Sequence, residues 1–364
     1  MKNKKILCLS WCDADNVINY GQILQALAMM ALLRNYTDEK IEYVSFFPRN
    51  IKSLIRYYID HLSVKNGHLQ AYIKTRKTIK KYTDKFNVKL SHIRKSTELE
   101  RYKDIDFMIC GSDQIWHPCN YNKVFFLDIE GTEAKRIAFA ASLPKTFIEE
   151  QFVEQYKHIK EAIKKLDSIA VREQSSIDLI SKLSNKKVIS VLDPTFLVSR
   201  NMWEEVMEAI NVPNKYIFIY IPNGMNADMV EFVKKIKIKM KIEDVLVVVT
   251  RGNNLFTDSI NLNFVSLGQF LYLIKNASLV VTSSFHAVVF STLFHTDFYA
   301  YDIYNNLRGE DCRLVDILDI LGLRERNIQG KDLKEICAID FEMVDRLIKN
   351  KKIEALTYLK NELS

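Results

Sequence analysis

The residue of this 364-residue chain best suited to move a proton is His286, which follows Thr282-Ser283-Ser284-Phe285. Residues 279–281 are a short apolar run of the kind buried in a parallel sheet, and 287–290 continue as an apolar helix. His286 therefore stands in the first turn of a helix that leaves the end of a strand. Ligands in open α/β sheets bind outside the carboxyl ends of strands. A helix N-terminus there offers free N–H groups and the positive end of a dipole to an anion. An imidazole so placed can touch a bound anion and deliver a proton. The competing reading is a histidine that only packs the helix start.

Three further polar clusters stand at strand ends. Gly111-Ser112-Asp113-Gln114-Ile115-Trp116 follows the apolar run 106–110. Asp113 offers a carboxylate, Ser112 and Gln114 offer hydrogen bonds, and Trp116 a flat face for a sugar ring. The alternative is a tight turn capped by Asp113. Asn19-Tyr20-Gly21-Gln22 opens an apolar helix over 23–33. Gly21 lets a ligand approach the backbone closely, while Asn19 and Gln25 can bond sugar hydroxyls; a plain helix start is the other reading. Asp193-Pro194-Thr195 closes a strand over 187–192, where the proline stops the ladder. Arg172 begins a helix after the strand 168–171, as an anion ligand or as a surface partner of Glu173 or Asp178. No Gly-x-Gly-x-x-Gly occurs, so a dinucleotide-dependent oxidoreductase is not indicated.

These clusters need a scaffold, and the pattern supplies one. Strands are predicted over 5–10, 41–47, 106–110, 136–140, 168–171 and 187–192, with helices between. The stretch 49–103 has few turn signals and reads as helices inserted between two strands. Asn211-Val212-Pro213-Asn214 is the clearest boundary. Beyond it the alternation restarts: strands over 216–221, 245–249, 263–265, 279–281 and 295–301, helices over 227–239, 269–275 and 313–321. A terminal helix over 341–363 is placed to pack back on the first half. The fold class is α/β, with two Rossmann-like doubly wound domains facing a cleft: 1–211, 212–340, and a C-terminal helix 341–364.

Composition narrows the classes. At 48% apolar and 27% charged residues the chain is an ordinary globular one, and its length favours two domains. No apolar run reaches the roughly 20 residues of a membrane span, and the N-terminus lacks a signal-peptide core, so a cytoplasmic protein is expected. The six cysteines show no Cys-x-x-Cys pair or zinc spacing, and no metal site is expected; Cys8 and Cys110 read as buried apolar residues. The net charge of +7 is uneven: 49–103 holds 15 Lys/Arg against 4 Asp/Glu, and the remainder 37 against 41. That segment calls for an anionic partner, whether lipid headgroups, a phosphorylated carrier or nucleic acid, or else is a solvated helix pair.

Four strings in order resemble the polysaccharide pyruvyl transferase family: Asn19-Tyr20-Gly21 with Leu24-Gln25-Ala26, Gly111 to Trp116, Leu192-Asp193-Pro194-Thr195, and Thr282 to His286 with Phe290-Ser291. The likeness spans about residues 5–325. It implies a fold like that of GT-B glycosyltransferases and transfer of a pyruvyl group from phosphoenolpyruvate to a sugar, usually as a ketal across two hydroxyls, on a surface-polysaccharide or lipid-linked glycan. His286 matches the family's proposed acid. Ser283, Ser284 and Phe285 then belong to the donor side, and Asn19, Tyr20, Gly21, Gln25, Gly111, Ser112, Gln114 and Trp116 to the acceptor side. Asp113 or Asp193 would accept hydroxyl protons or position the acceptor. One branch of the family has an arginine where this chain has Ser284. Its replacements, in order, would be Arg172, Arg251, Arg308 and Arg313. Phosphoenolpyruvate enters as a substrate, and no cofactor is implied; no nucleic acid partner is expected, and an anionic membrane surface could meet 49–103 from the cytoplasmic side. The alternatives are a nucleotide-sugar glycosyltransferase on the same architecture, and a non-catalytic module gripping an anionic polymer.

Overall fold

The alternation seen in the sequence folds into two parallel sheets, one in each half of the chain. The computed structural model describes residues 3–12, 19–46, 68–118, 121–143, 153–222, 224–250, 254–301, 312–328 and 338–364. The first sheet holds β1 (Ile6–Leu9), β2 (Ile41–Phe46), β3 (Val88–Ile93), β4 (Phe107–Cys110), β5 (Lys135–Ala141), β6 (Ser168–Val171) and β7 (Val188–Ser190), in the order β3-β2-β1-β4-β5-β6-β7. The second holds β8 (Tyr216–Tyr220), β9 (Asp244–Val248), β10 (Ile260–Asn261), β11 (Leu279–Thr282) and β12 (Phe298–Ala300), in the order β10-β9-β8-β11-β12. Both are doubly wound. The order reverses between β1 and β4 in one and between β8 and β11 in the other, which opens a crevice at the carboxyl ends of those strands.

The helices that matter below are α1 (Tyr20–Leu33), α2 (His68–Lys85), α3 (Val153–Ile163), α4 (Ile177–Ser184), α5 (Pro194–Leu197), α6 (Arg200–Val206), α7 (Ala227–Met240), α8 (Leu267–Asn276), α9 (Phe285–Phe294), α10 (Cys312–Leu321) and α11 (Phe341–Glu362). Two of them are apolar on every side. In α1 only Ala31 escapes full burial, and in α9 only Leu293 does. A helix without a polar face must lie inside the molecule. Each starts at the reversal point of its own sheet, and they pack against each other between the two halves.

Two sequence expectations are corrected. The basic stretch is not helical throughout: after α2 the chain forms β3, a strand at the sheet edge paired with β2 from Ile41↔Val88 to Phe46↔Ile93. Val88 and Ile93 are buried while Lys89 and His92 face solvent, and exposed charge on an edge strand discourages further pairing. The lysine density hides that strand in the sequence. The short strand expected over 263–265 lies instead at Ile260–Asn261, a two-residue edge on β9, and Asn263 takes a positive φ of 50°. Residues 49–67 lie outside the described residues.

The two halves are joined by specific contacts. The Tyr20 hydroxyl donates to the Val265 carbonyl at 3.1 Å, and its ring stacks on Phe270 with centroids 4.3 Å apart. The Ser175 hydroxyl donates to Asp316 at 2.6 Å, and the Leu267 N–H to the Thr75 hydroxyl at 3.1 Å. The last helix, α11, returns to the first sheet: the Tyr358 hydroxyl reaches the Ala138 carbonyl at 3.4 Å, its ring lies on Phe139, and Lys135 pairs with Glu362 at 3.0 Å. Among the described residues no helix is long and apolar enough to cross a membrane.

Candidate active site

Asp193 is the point on which the polar side chains converge. Its side chain caps α5, with Pro194 at the first helical position: Oδ1 accepts from the Thr195 N–H at 3.0 Å and the Thr195 hydroxyl at 2.6 Å. This is the usual preference for Asp before a proline-led helix. Oδ2 faces the other way. It accepts from the Ser112 hydroxyl at 2.6 Å and from Arg172 Nη1 at 3.2 Å, and lies 3.6 Å from His286 Nε2. Burial alone would favour the neutral acid, but contact with His286, the Arg172 charge and the Ser112 hydrogen bond outweigh it. They hold this carboxyl far below the usual carboxylate range. A carboxylate so bound does not accept a further proton near neutrality. Of the two roles open to Asp193 in the sequence, positioning is the one its surroundings favour.

His286 enters from the other half, one residue into α9, whose cap is Ser284: the Ser284 hydroxyl accepts from the Ala287 N–H at 3.4 Å. The Thr282 hydroxyl donates to the Tyr220 carbonyl at 2.5 Å and accepts from the Ser284 N–H at 3.0 Å, tying the turn to β8. Ser283 and Ser284 are half-buried and His286 is 7% exposed. Its Nε2 has no hydrogen-bond partner within the protein. The opposite edge of the ring lies against α1, where a Cβ added to Gly21 would sit 2.1 Å from Nδ1 and 2.7 Å from Cγ. Gly21 is thus the residue that makes room for the imidazole, a narrower task than the ligand approach expected of it.

Arg172 is not the surface residue of one sequence reading. It is buried, with Nε donating to Glu173 at 3.0 Å, Nη1 to Asp193, and its plane over the Phe285 ring at 4.1 Å. Two carboxylates pair with it, while its Nη2 is buried without a hydrogen-bond partner. Burial opposes the Arg172 charge, but Glu173, Asp193 and Asp113 together raise its affinity for the proton. Burial conversely pushes the Glu173 carboxyl up, against the pull of Arg172. Arg313, on α10, lines a narrow pocket with Arg172, Glu173, Phe285 and Asp316. Arg251 and Arg308 lie outside the described residues.

The turn after β4 meets this cluster through Ser112. Gly111 has φ +141°, and a Cβ there would fall 1.8 Å from the Phe139 carbonyl oxygen, so no other residue fits. Asp113 follows at φ +71°, rare for a side chain other than Gly or Asn, and its Oδ1 accepts from the Gln114 N–H at 2.9 Å. Gln114 is half-buried beside it. Trp116 departs from expectation. It is fully buried, its Nε1–H donates to the Phe125 carbonyl at 2.9 Å, and it stacks on Phe126 at 5.3 Å, so its flat face serves the core and not a sugar.

The first turn of α1 also divides. Asn19 caps it, its side chain accepting from the Gln22 N–H at 3.3 Å. Tyr20 is committed to Val265 and Phe270, and burial pushes its phenol up; it is an interface residue, not one facing an acceptor. Gln25 is fully buried, its amide donating to the Ser10 hydroxyl, the Trp11 carbonyl and the Gln22 carbonyl, which binds the end of β1 to α1. No site role is read for Ser10 in the sequence, yet it directly follows β1, beside the reversal point, and its hydroxyl donates to the Ser112 carbonyl at 2.9 Å. Among the described residues no three His, Cys, Asp or Glu side chains gather as metal ligands.

Comparison with known structures agrees with this architecture. A putative UDP-N-acetylglucosamine 2-epimerase from Listeria monocytogenes shares 9% identity at a TM-score of 0.50, over 96% of this chain and 95% of that one. S. aureus MnaA with UDP shares 10% at 0.50, over 96% of each chain. At such identity the likeness is one of fold, the GT-B-like arrangement of two Rossmann-like halves. No curated protein matches the chain. A family model described as polysaccharide pyruvyl transferase matches residues 19–304, from the cap of α1 to beyond β12, and takes in Gly21, Ser112, Arg172, Asp193 and His286. This chain belongs to the polysaccharide pyruvyl transferase family.

Proposed function

We propose that the protein transfers the pyruvyl group of phosphoenolpyruvate to two hydroxyls of one sugar in a surface-polysaccharide or lipid-linked glycan, with His286 as the general acid. The observation that carries this reading is the meeting of His286, on the first turn of α9, with Asp193 and Gly21 from the other half, at the strand ends where such folds bind ligands. In the reaction His286 gives a proton to C3 of the enol while a sugar oxygen attacks C2 and its own proton is lost. Phosphate then leaves C2, a second hydroxyl of the sugar takes its place with loss of its proton, and the ketal and inorganic phosphate result. The donor carries a carboxylate and a phosphate. Free N–H groups at the start of α9, with Ser283, Ser284 and Arg313, are the groups suited to receive them. Asp113, strained and beside Ser112, is the candidate to take the hydroxyl proton, and Asn19 and Gln114 are the polar groups left on the acceptor side.

The test is a donor screen on purified protein with candidate glycans, read by mass spectrometry for the pyruvyl ketal and by release of phosphate. Wild type is expected to turn over phosphoenolpyruvate, and His286→Ala to lose at least about 100-fold in rate. Turnover of a nucleotide sugar instead, or full activity in His286→Ala, overturns the reading.

A further inference from the structure

The outward face of α2 takes no part in the site. Its inner face is fixed: Ala71, Thr75, Ile79 and Tyr82 are buried, and the Tyr82 hydroxyl donates to the Met202 carbonyl at 3.4 Å. Its flanks are engaged as well, by Lys74 with Glu208 and by Lys85 with Glu205 at 2.8 Å. Together with the Thr75–Leu267 hydrogen bond, these contacts set α2 as a strut touching both halves of the molecule. Ile73, Arg76, Lys77, Lys80, Lys81 and Asp84 remain exposed. Their spacing (i, i+3, i+4, i+7, i+8, i+11) is that of one stripe along a helix. The stripe has four cations and one carboxylate, and Asp84 is bound by Lys80 at 2.8 Å. Ile73 is 42% exposed at its amino-terminal end, and Arg76 lies against the Tyr72 ring, with Nη1 donating to its hydroxyl at 2.6 Å.

We infer that this stripe docks on the surface of an anionic phospholipid bilayer, with the helix lying in the plane of the headgroups. Charge complementarity argues for the partner: residues 49–103 hold all of the chain's excess of positive charge, and the rest of the molecule is slightly acidic. Shape argues for a bilayer over a polymer. A convex helix with lysines on its crest and an isoleucine and a tyrosine at one end matches a flat interface, where long cationic side chains reach headgroups and the apolar tip enters between them. A polynucleotide or acidic polysaccharide would meet the cations but leave the apolar tip unused. Because α2 is fastened to both halves, the bilayer would set the orientation of the whole molecule. The inference goes beyond the transferase reading and stands on charge and exposure, whatever the substrate.

Co-sedimentation of the full chain with vesicles tests it. Binding is expected to vesicles containing phosphatidylglycerol, to be absent from phosphatidylcholine alone, and to weaken steeply with salt. Neutralising the stripe as Arg76→Gln, Lys77→Gln, Lys80→Gln and Lys81→Gln should lower the partition coefficient at least about 100-fold. Glutamine is a good helix former and the positions are exposed, so the fold survives, which circular dichroism checks. Lys160→Gln with Lys164→Gln, exposed on α3 and just past its end, should change binding little. Equal binding to neutral vesicles, full binding by the four-fold variant, or retention on an acidic polysaccharide without vesicle binding overturns the inference.

Discussion

Asp193 and Gly21 are the two residues through which the first half of the molecule reaches His286. Asp193 joins two loops and a helix by one oxygen: Ser112 after β4, Arg172 after β6, and His286 on α9 from the second half. Removing one member of such a buried charged set leaves the others uncompensated. Asp193→Ala is therefore expected to cost about 3–5 kcal/mol, measured by urea unfolding at neutral pH. Gly21 acts by having no side chain. Gly21→Ala would place a methyl group where the imidazole stands, so the ring must swing away. A displacement of about 1 Å at a reacting group costs on the order of 100-fold in rate. Pyruvyl transfer by Gly21→Ala is expected to fall by that factor with little change in far-UV circular dichroism; undiminished transfer would show that the ring position is not critical.

Among the elements, α1 and α9 decide most, because each is apolar all round and each begins with a polar turn at the crevice. Their burial brings Gly21 to His286; the turns alone have too few contacts to do so. The turn after β4 shows the reverse division of labour. Its glycine and aspartate shape the crevice, whereas Trp116 supports it from beneath. Trp116→Phe keeps an aromatic ring against Phe126 but loses the bond to the Phe125 carbonyl, and should destabilise the fold by about 1–2 kcal/mol. The KM for the acceptor should stay unchanged in kinetic assays, whereas a rise would return Trp116 to the sugar site. Tyr20→Phe tests the contact between halves: loss of both hydrogen bonds with Val265 is expected to cost about 1–2 kcal/mol in thermal or urea unfolding, with the ring stack on Phe270 retained.

At the scale of the molecule, buried charge makes stability depend on pH with two opposite signs. The folded pKa of Asp193 lies below the unfolded value of about 3.9. Its contribution is therefore complete above the unfolded value and is lost as pH falls through the folded one. Glu173 and Asp316 are raised, chiefly by burial, so their contribution is present below their unfolded values and is lost as pH rises through the folded ones. Urea midpoints of wild type and Asp193→Asn, taken from neutrality down through the carboxylate range, should converge as the pH falls. Parallel curves would mean that Asp193 is not held ionised by its neighbours.

Much of this molecule is legible in its sequence, for reasons particular to its parts. Strands buried on both faces read as short continuous apolar runs, as in 216–221 and 279–281, and polar residues clustered at their ends mark the crevice. Local information suffices there, because burial on both sides and exposure at the strand end are each written in adjacent residues. That is why the two-sheet architecture and the turns at Gly111, Asp193 and His286 could be found without coordinates. β3 could not, since an edge strand needs only one apolar face and the basic stretch around it imitates the helix before it. Nor could the fates of Trp116, Tyr20, Gln25 and Arg172: each is a residue type that serves a ligand or a core equally well. Which one it serves depends on what the chain brings against it from far away, Phe126 and Phe125 for Trp116, Val265 and Phe270 for Tyr20, Ser10 for Gln25, and Asp193 and Phe285 for Arg172. The residue types and spacing determined by themselves that a histidine stands beyond a strand end, in the first turn of a helix; only the packing of α1 against α9 decided that a glycine and a buried carboxylate of the other half lie against it.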